Sequence, residues 1–225
     1  MMEYLEGVKK AKTLEIGELL VQAEGTEVKV NGAVHTIRDM GNVAFVILRK
    51  RDGLVQCVFE EGVTAFDLKE LKEASAVEVL GTIRKEERAA HGIEIRLKEI
   101  KVLSEPDEPL PLPISKWKLN TSLEAKLNMR PISLRNVRER AKFKIQEGLV
   151  RSFRDFLYEQ GFTEIHTPKL GAKSAEGGAN LFKLEYFHRP AILQQSPQLY
   201  KQMMVGVFDR VFETGPVFRA EKHNT

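Results

Sequence analysis

Two short runs carry residue types that can bind and activate charged substrates. Phe218-Arg-Ala-Glu-Lys-His-Asn-Thr225 sets Arg219 and Glu221 two residues apart, on one face of an extended strand. A guanidinium can hold a carboxylate and a phosphate oxygen together through paired donors. Spacing alone reads the pair as an ordinary surface ion-pair strand. Gln195-Ser-Pro-Gln-Leu-Tyr-Lys201 reads as a helix opening, with Ser196 as its cap and Pro197 in its first turn. Lys201 follows Gln198 by three residues and shares its face. It is a candidate cation for a carboxylate, with Ser196 and Gln198 as neutral partners; a solvated helix charge is the plainer reading. Earlier in the chain, Phe45 and Gln56 fall on two strands joined at Asp52-Gly53. An exposed aromatic can stack an unpaired base and an amide can read its edge, or Phe45 belongs to a core. Arg38 can meet phosphate or base. The histidines show no metal-ligand spacing.

These residues need elements to position them. The 225-residue chain is 42% hydrophobic and 30% charged, a globular rather than disordered composition. No stretch approaches the roughly 20 apolar residues of a membrane span. Met1 to Lys12 lacks the apolar centre of a signal peptide. The single cysteine, Cys57, excludes an internal disulfide framework and a multi-cysteine zinc site, so a cytoplasmic protein is expected. Residues 1–104 hold 16 Lys+Arg against 18 Asp+Glu, and residues 105–225 hold 19 against 14. Neither half is basic enough to specify nucleic acid by charge alone.

Ser104 to Ile114 carries four of the nine prolines and reads as a semi-rigid connector. The expected domains are 1–103, a hinge at 104–120, and 121–225. Before the connector, strands are expected at Glu27–Ile37, Val43–Arg49, Leu54–Glu60, Ala76–Arg84 and Ile93–Leu103, with a helix at Phe66–Ala74. That order fits a five-stranded oligonucleotide-binding barrel or another small α+β barrel. After it, Phe143, Val150, Phe153 and Leu157 mark one face of a helix stopped at Gly161. An extended segment, Phe162 to Pro168, precedes a small-residue loop, Gly171 to Ala179. The helix opened at Ser196 should run to about Val205, and Asp209–Glu221 should form two strands about Gly215-Pro216. A basic run, Lys126, Arg130, Arg135, Arg138, Arg140, Lys142 and Lys144, faces one acid, Glu139; it suits an RNA backbone or a solvated helix start.

Gly161-Phe-Thr-Glu-Ile-His-Thr-Pro168 resembles the first signature motif of class II aminoacyl-tRNA synthetases. The run from Phe218 resembles the first half of their second motif. Gln195 to Lys201 resembles the amino-acid-binding signature of the aspartyl enzymes, and Ile37-Arg-Asp-Met-Gly41 with Gly53-Leu-Val-Gln56 resembles their anticodon-binding barrel. The likeness covers nearly the whole chain from about Gly17 and is strongest to archaeal-type aspartyl-tRNA synthetases. His223 and Ser196-Pro197-Gln198 separate it from the asparaginyl pattern. The implied fold is α+β: an N-terminal OB-fold β-barrel, then the start of a class II antiparallel-sheet catalytic domain, truncated before the rest of the second motif and the third.

The resemblance implies an aspartate–tRNA ligase, joining L-aspartate to ATP as aspartyl-adenylate and transferring it to tRNA(Asp). Asparaginyl-tRNA synthetase and a non-catalytic tRNA-binding paralogue are the alternatives. It assigns Arg219 to catalysis, Arg219 and Glu221 to ATP, and Glu176, Ser196, Gln198, Lys201 and Arg219 to aspartate. Glu176 sits beside Gly177-Gly178, whose backbone freedom suits a closing lid. Pro168 is assigned to a homodimer interface. His35, Arg38, Phe45 and Gln56 become anticodon contacts, with Ala33 standing where a Trp is common. The histidine at position 35 implies that tRNA(Asn) is charged as well. Mg2+ is implied by the ATP chemistry, its ligands expected outside this chain, and residues 1–225 alone are expected to be inactive.

Overall fold

The structure is a computed structural model, and it describes residues 13–172 and 180–221. By contacts the chain divides into two compact units, meeting at Ala141 and Lys142.

The first unit is a closed five-stranded barrel. After a short helix α1 (Ile16–Leu20) come β1 (Glu27–Asp39), β2 (Val43–Arg49), β3 (Leu54–Glu60), β4 (Ala76–Lys85) and β5 (Ile93–Ser104). They close in the order β1-β2-β3-β5-β4. Only β3 and β5 pair in parallel; the other pairs are antiparallel. This is the oligonucleotide-binding barrel. Alternate residues, among them Val28, Val30, Val46, Leu48, Val55, Cys57, Val77, Val79 and Ile95, fill one core, as the period of two requires. The thiol of Cys57 is pushed far up by burial, which makes it packing rather than a nucleophile.

The expected helix at Phe66–Ala74 is only a single 3-10 turn, Leu68–Glu70. The Asp67 carboxylate accepts from the Lys69 amide at 3.0 Å, a local bond that competes with helix propagation. Leu71 then turns extended and drops into the core.

The proline-rich segment is anchored. Leu112, Ile114 and Leu119 are buried. Asn136 donates through Nδ2 to the carbonyls of Ile114 and Lys116, at 2.8 and 2.6 Å. Its Oδ1 accepts from the amides of Arg138 and Glu139, so this buried side chain caps a helix and holds the connector at once. Two short helices, α2 (Leu123–Asn128) and α3 (Arg130–Ser133), precede the capped helix, α4 (Val137–Glu159).

The end of α4 follows from Gly161. Its φ of +77° is left-handed, and the Phe162 and Gly161 amides donate back to Leu157 and Tyr158; this is the Schellman closure that glycine favours. In the second unit β6 (Thr163–Glu164) pairs in parallel with β10 (Val211–Phe212). A three-stranded antiparallel sheet has the order β7-β9-β8, from Leu170–Gly171, Arg189–Leu193 and Lys183–Tyr186. Helix α5 spans Gln198–Phe208, three residues beyond the expected end. Of the two strands expected in Asp209–Glu221, the first is present as β10 (Val211–Phe212), whereas residues 213–221 form no strand. Pro216 has no amide to donate to a ladder; beyond it the Phe218 and Ala220 amides bond the carbonyls of Gln194 and Asn180.

Candidate active site and nucleic-acid face

On the barrel, strand register decides which side chains share a face. Arg38 lies opposite Phe45, and Phe45 opposite Val58. Two residues on, Ile47 lies opposite Gln56, Gln56 opposite Glu94, and Glu94 opposite Arg84. None of these belongs to the core cluster. They share the outward side of the sheet: Phe45 and Gln56 are half-buried and Arg38 is exposed, while Ile47, Val58 and Glu94 are buried beneath their neighbours. The amide of Gln56 donates to Glu94 Oε2 at 3.1 Å, and Arg84 stands 3.5 Å from the other Glu94 oxygen. The arrangement offers an apolar platform with hydrogen-bonding edges, the combination that stacks and reads unpaired bases. The Glu94–Arg84 brace escaped sequence reasoning. Its signal was the alternation of β5, where an acid interrupts Ile93 and Ile95.

His35 does not join this surface. Strand β1 shifts register between Val34 and Thr36, and the extra residue, His35, is 3% exposed. The bulge turns the ring into the protein, so a direct contact between His35 and a base is not displayed. Its acidity is altered in the matching sense: burial foremost, then the charges of Arg49 and Arg140, lower its pKa, with Glu73 opposing.

In the second unit, two backbone bonds gather the other motif residues. The Phe218 amide donates to the Gln194 carbonyl at 3.0 Å, and the Ala220 amide to the Asn180 carbonyl at 3.1 Å. Gln195, buried, also donates its side-chain amide to Asn180 O. Arg219, between the two donors, therefore runs beside the turn that opens α5. In that turn Ser196 Oγ accepts from the Gln198 amide at 3.2 Å, and the Lys201 amide bonds Pro197 O. Pro197, not Ser196, occupies the cap position; the serine acts one residue earlier because its hydroxyl closes a local turn. Lys201 is half-buried, whereas Gln198, Arg219 and Glu221 are exposed. Glu176, with the rest of 173–179, and Lys222 to Thr225 lie outside the described residues. Pro168 is exposed between β6 and β7.

A cavity of about 560 Å³ lies next to this turn, lined by Gly171, Gln194, Leu199, Tyr200, Gln202 and Met203 among others. The Gln194 side-chain amide packs over Gly171, in the space a Cβ would take. The cavity wall includes neither Lys201 nor Arg219, so it borders the motif residues rather than containing them.

Two carboxylates missed by sequence reasoning hold this region. Glu213 accepts from the Thr167 amide at 3.0 Å, from Thr167 Oγ1 at 2.8 Å and from Lys169 Nζ at 2.6 Å. Its side chain is 3% exposed. Burial is the strongest single influence and opposes ionisation, but the Lys169 and Thr167 bonds outweigh it and lower the pKa. Glu164 accepts from Thr214 Oγ1, Tyr158 OH and Arg154 Nε. These bonds, Thr214's first, bring its pKa down to about 2. Each carboxylate ties the segment around β6 to the start of the run leading to Arg219.

Residues 122–225 match the family described as tRNA synthetases class II (D, K and N), and residues 28–103 match the OB-fold nucleic acid binding domain. The chain carries a class II aminoacyl-tRNA synthetase domain behind an OB-fold domain. Among relatives of this chain, the Aspartate--tRNA(Asp/Asn) ligase of Deinococcus radiodurans is 47% identical over 206 residues, covering 92% of the chain and 46% of the relative. The ligase of the same name from Archaeoglobus fulgidus is 43% identical over 209 residues, covering 91% and 48%. Asparaginyl-tRNA synthetase from Pyrococcus horikoshii, solved with asparaginyl-adenylate, aligns with a TM-score of 0.84 at 31% identity, covering 95% of the chain and 50% of that structure. The chain thus spans about half the length of the curated relatives it matches. Among its described residues no helix is long and apolar enough to cross a membrane.

Proposed function

We propose that the chain belongs to an aspartate–tRNA ligase that activates L-aspartate with ATP and charges both tRNA(Asp) and tRNA(Asn). The observation that supports the reading is the backbone pairing of Phe218 and Ala220 with Gln194 and Asn180, which holds the run carrying Arg219 against the segment that leads into Ser196. In the first step an aspartate carboxylate oxygen attacks the α-phosphorus, the new O–P bond forms, and pyrophosphate leaves. Two anions must approach, so fixed cations and geometry are what the protein supplies. Arg219 holds the reacting carboxylate and phosphate, Glu221 accepts from the adenine amino group, and Glu176 meets the substrate ammonium. Lys201 neutralises the side-chain carboxylate, with Ser196 and Gln198 as hydrogen-bonding partners. In the second step the terminal ribose hydroxyl of the tRNA attacks the acyl carbon and AMP departs.

Mg2+ accompanies ATP in such chemistry. Among the described residues no three His, Cys, Asp or Glu side chains gather to hold a metal ion. The barrel face of Arg38, Phe45 and Gln56 takes the anticodon, residues 1–103, 104–120 and 121–225 act as anticodon domain, hinge and catalytic portion, and Pro168 lies at a homodimer interface in the cytoplasm. Use of both tRNAs is supported by the names of the relatives at 43–47% identity. Any influence of His35 on that choice runs through the β1 bulge it fills, not through a base contact. The likeness to an asparaginyl enzyme favours a second reading, activation of asparagine. The test is aminoacylation of tRNA(Asp) and tRNA(Asn) transcripts by the complete gene product with aspartate. Comparable charging is expected. A preference for tRNA(Asp) above roughly 100-fold, about 3 kcal/mol at the transition state, would show a discriminating enzyme, and no charging with aspartate would overturn the reading.

A further inference from the structure

The basic run noted in the sequence does not spread evenly over solvent in the first unit. Arg140 Nη1 donates to the Lys50 carbonyl at 3.2 Å, which fixes its guanidinium against the end of β2, next to Arg49. Arg49 Nη1 is buried and has no hydrogen-bond partner. Arg135, exposed just before α4, lies within Coulombic reach of Arg49, as does Arg140. Beneath them His35 is 3% exposed, and its Nδ1 is likewise buried and without a partner. Strand register agrees, since Arg49 lies opposite Ala33, two residues before His35.

The nearby carboxylates are otherwise engaged. Glu139 bonds Lys126, Glu15 stands near Lys50 and Arg51, and Glu73 accepts from Thr36 Oγ1 and the Ile37 amide. Among the described residues no carboxylate lies within ion-pair distance of Arg49, Arg135 or Arg140. Three like charges gathered with orphaned donors are costly unless an anion joins them. Guanidinium forks match phosphate oxygens bidentately.

We propose that Arg49, Arg135 and Arg140, grouped over His35, form a site for a phosphodiester of an RNA backbone. The site is separate from the Arg38–Phe45–Gln56 surface and reads no sequence; it sets the position of the RNA while the barrel face reads bases. The partner's identity as tRNA rests on the function proposed above. Arg135 is the residue to change first, because among the described residues its side chain makes no hydrogen bond or ion pair that holds the fold.

The test measures binding of a labelled tRNA(Asp) transcript, and of one with an altered anticodon, to the complete gene product between 50 and 200 mM salt. Each phosphate contact adds about 0.7–0.9 to the log–log salt slope. Losing one in Arg135→Gln should therefore make the fall in affinity over that fourfold range about threefold shallower. The loss should be equal for both transcripts, and Arg49→Gln should act the same way. Unchanged affinity and slope in Arg135→Gln would overturn the site. So would a loss confined to the matched anticodon, which is base readout. Inorganic phosphate at constant ionic strength should leave the wild-type advantage in place; its disappearance would assign the site to free phosphate and overturn the backbone reading. If the wild-type protein bound both transcripts equally, the tRNA assignment would fail by itself, and a shallower slope in Arg135→Gln would still establish a backbone phosphate contact.

Discussion

Replacing Glu213 by Gln keeps the shape of the side chain and removes its charge. Three donors then lose a charged acceptor: the Thr167 amide, Thr167 Oγ1 and Lys169 Nζ. A hydrogen bond to a charged group contributes about 1 kcal/mol more than a neutral one, so three give about 3 kcal/mol. The amide nitrogen also faces donors, and Lys169, 25% exposed, retains part of its hydration, which keeps the cost near the lower end for a broken buried pair. Lys169→Met removes one donor and leaves two on Glu213, costing about 2 kcal/mol. If the two side chains act as one unit, the double variant should cost about 3.5 kcal/mol rather than about 5, a coupling of about 1.5 kcal/mol. Urea unfolding of the complete gene product gives these differences. Amide exchange of the peptide containing Thr167 gives a local check, because the Thr167 amide itself donates to Glu213. Additivity within about 0.4 kcal/mol, or unchanged protection of Thr167 in Glu213→Gln, would refute the reasoning.

Gly81 allows β4 and β5 to close the barrel: a Cβ there would press on the Arg96 carbonyl oxygen and come within 2.7 Å of Ile95 Cγ2. Gly81→Ala should therefore lower stability by about 2–3 kcal/mol in a denaturant titration, and a change below about 0.5 kcal/mol would contradict the close approach. Glu164 should govern part of the acid limb of stability. Its pKa is held at about 2 by Thr214, Tyr158 and Arg154, below an unfolded value near 4.3, so its contribution is complete above that value and is lost as pH falls towards about 2. Glu164→Gln should flatten that limb and cost roughly 1 kcal/mol at neutral pH, given the exposure of Arg154 and Tyr158; an acid limb identical to wild type would refute the assignment.

The barrel was legible because its strands alternate. Val28 and Val30, and Val77 and Val79, face the core at the period read from the sequence, and Val46 and Leu48 face it from the apolar run Val43–Arg49. The helix expected at Phe66–Ala74 was not legible as a turn, since apolar spacing at Phe66, Leu68 and Leu71 fits both and the Asp67 side-chain bond decides. The Arg38–Phe45–Gln56 surface could be inferred from adjacent strands. The burial of His35 could not, because a one-residue bulge leaves no mark in hydrophobic periodicity. The motif runs around Ser196 and Arg219 stood out by residue type, and their adjacency required the Phe218–Gln194 and Ala220–Asn180 bonds. Glu164 and Glu213 look like ordinary surface acids in the sequence. Their partners Arg154, Tyr158, Thr167, Lys169 and Thr214 lie on other elements, and only the fold collects them.

The identity of the activated amino acid is tested most directly by ATP–pyrophosphate exchange of the complete gene product, with aspartate and with asparagine, in wild type and in Lys201→Met. Exchange should depend on aspartate, be negligible with asparagine, and be lost in Lys201→Met while the circular dichroism spectrum and unfolding midpoint stay at wild-type values. Exchange driven by asparagine, or near-normal aspartate exchange in Lys201→Met, would contradict the assignment of Lys201 as the cation that selects aspartate.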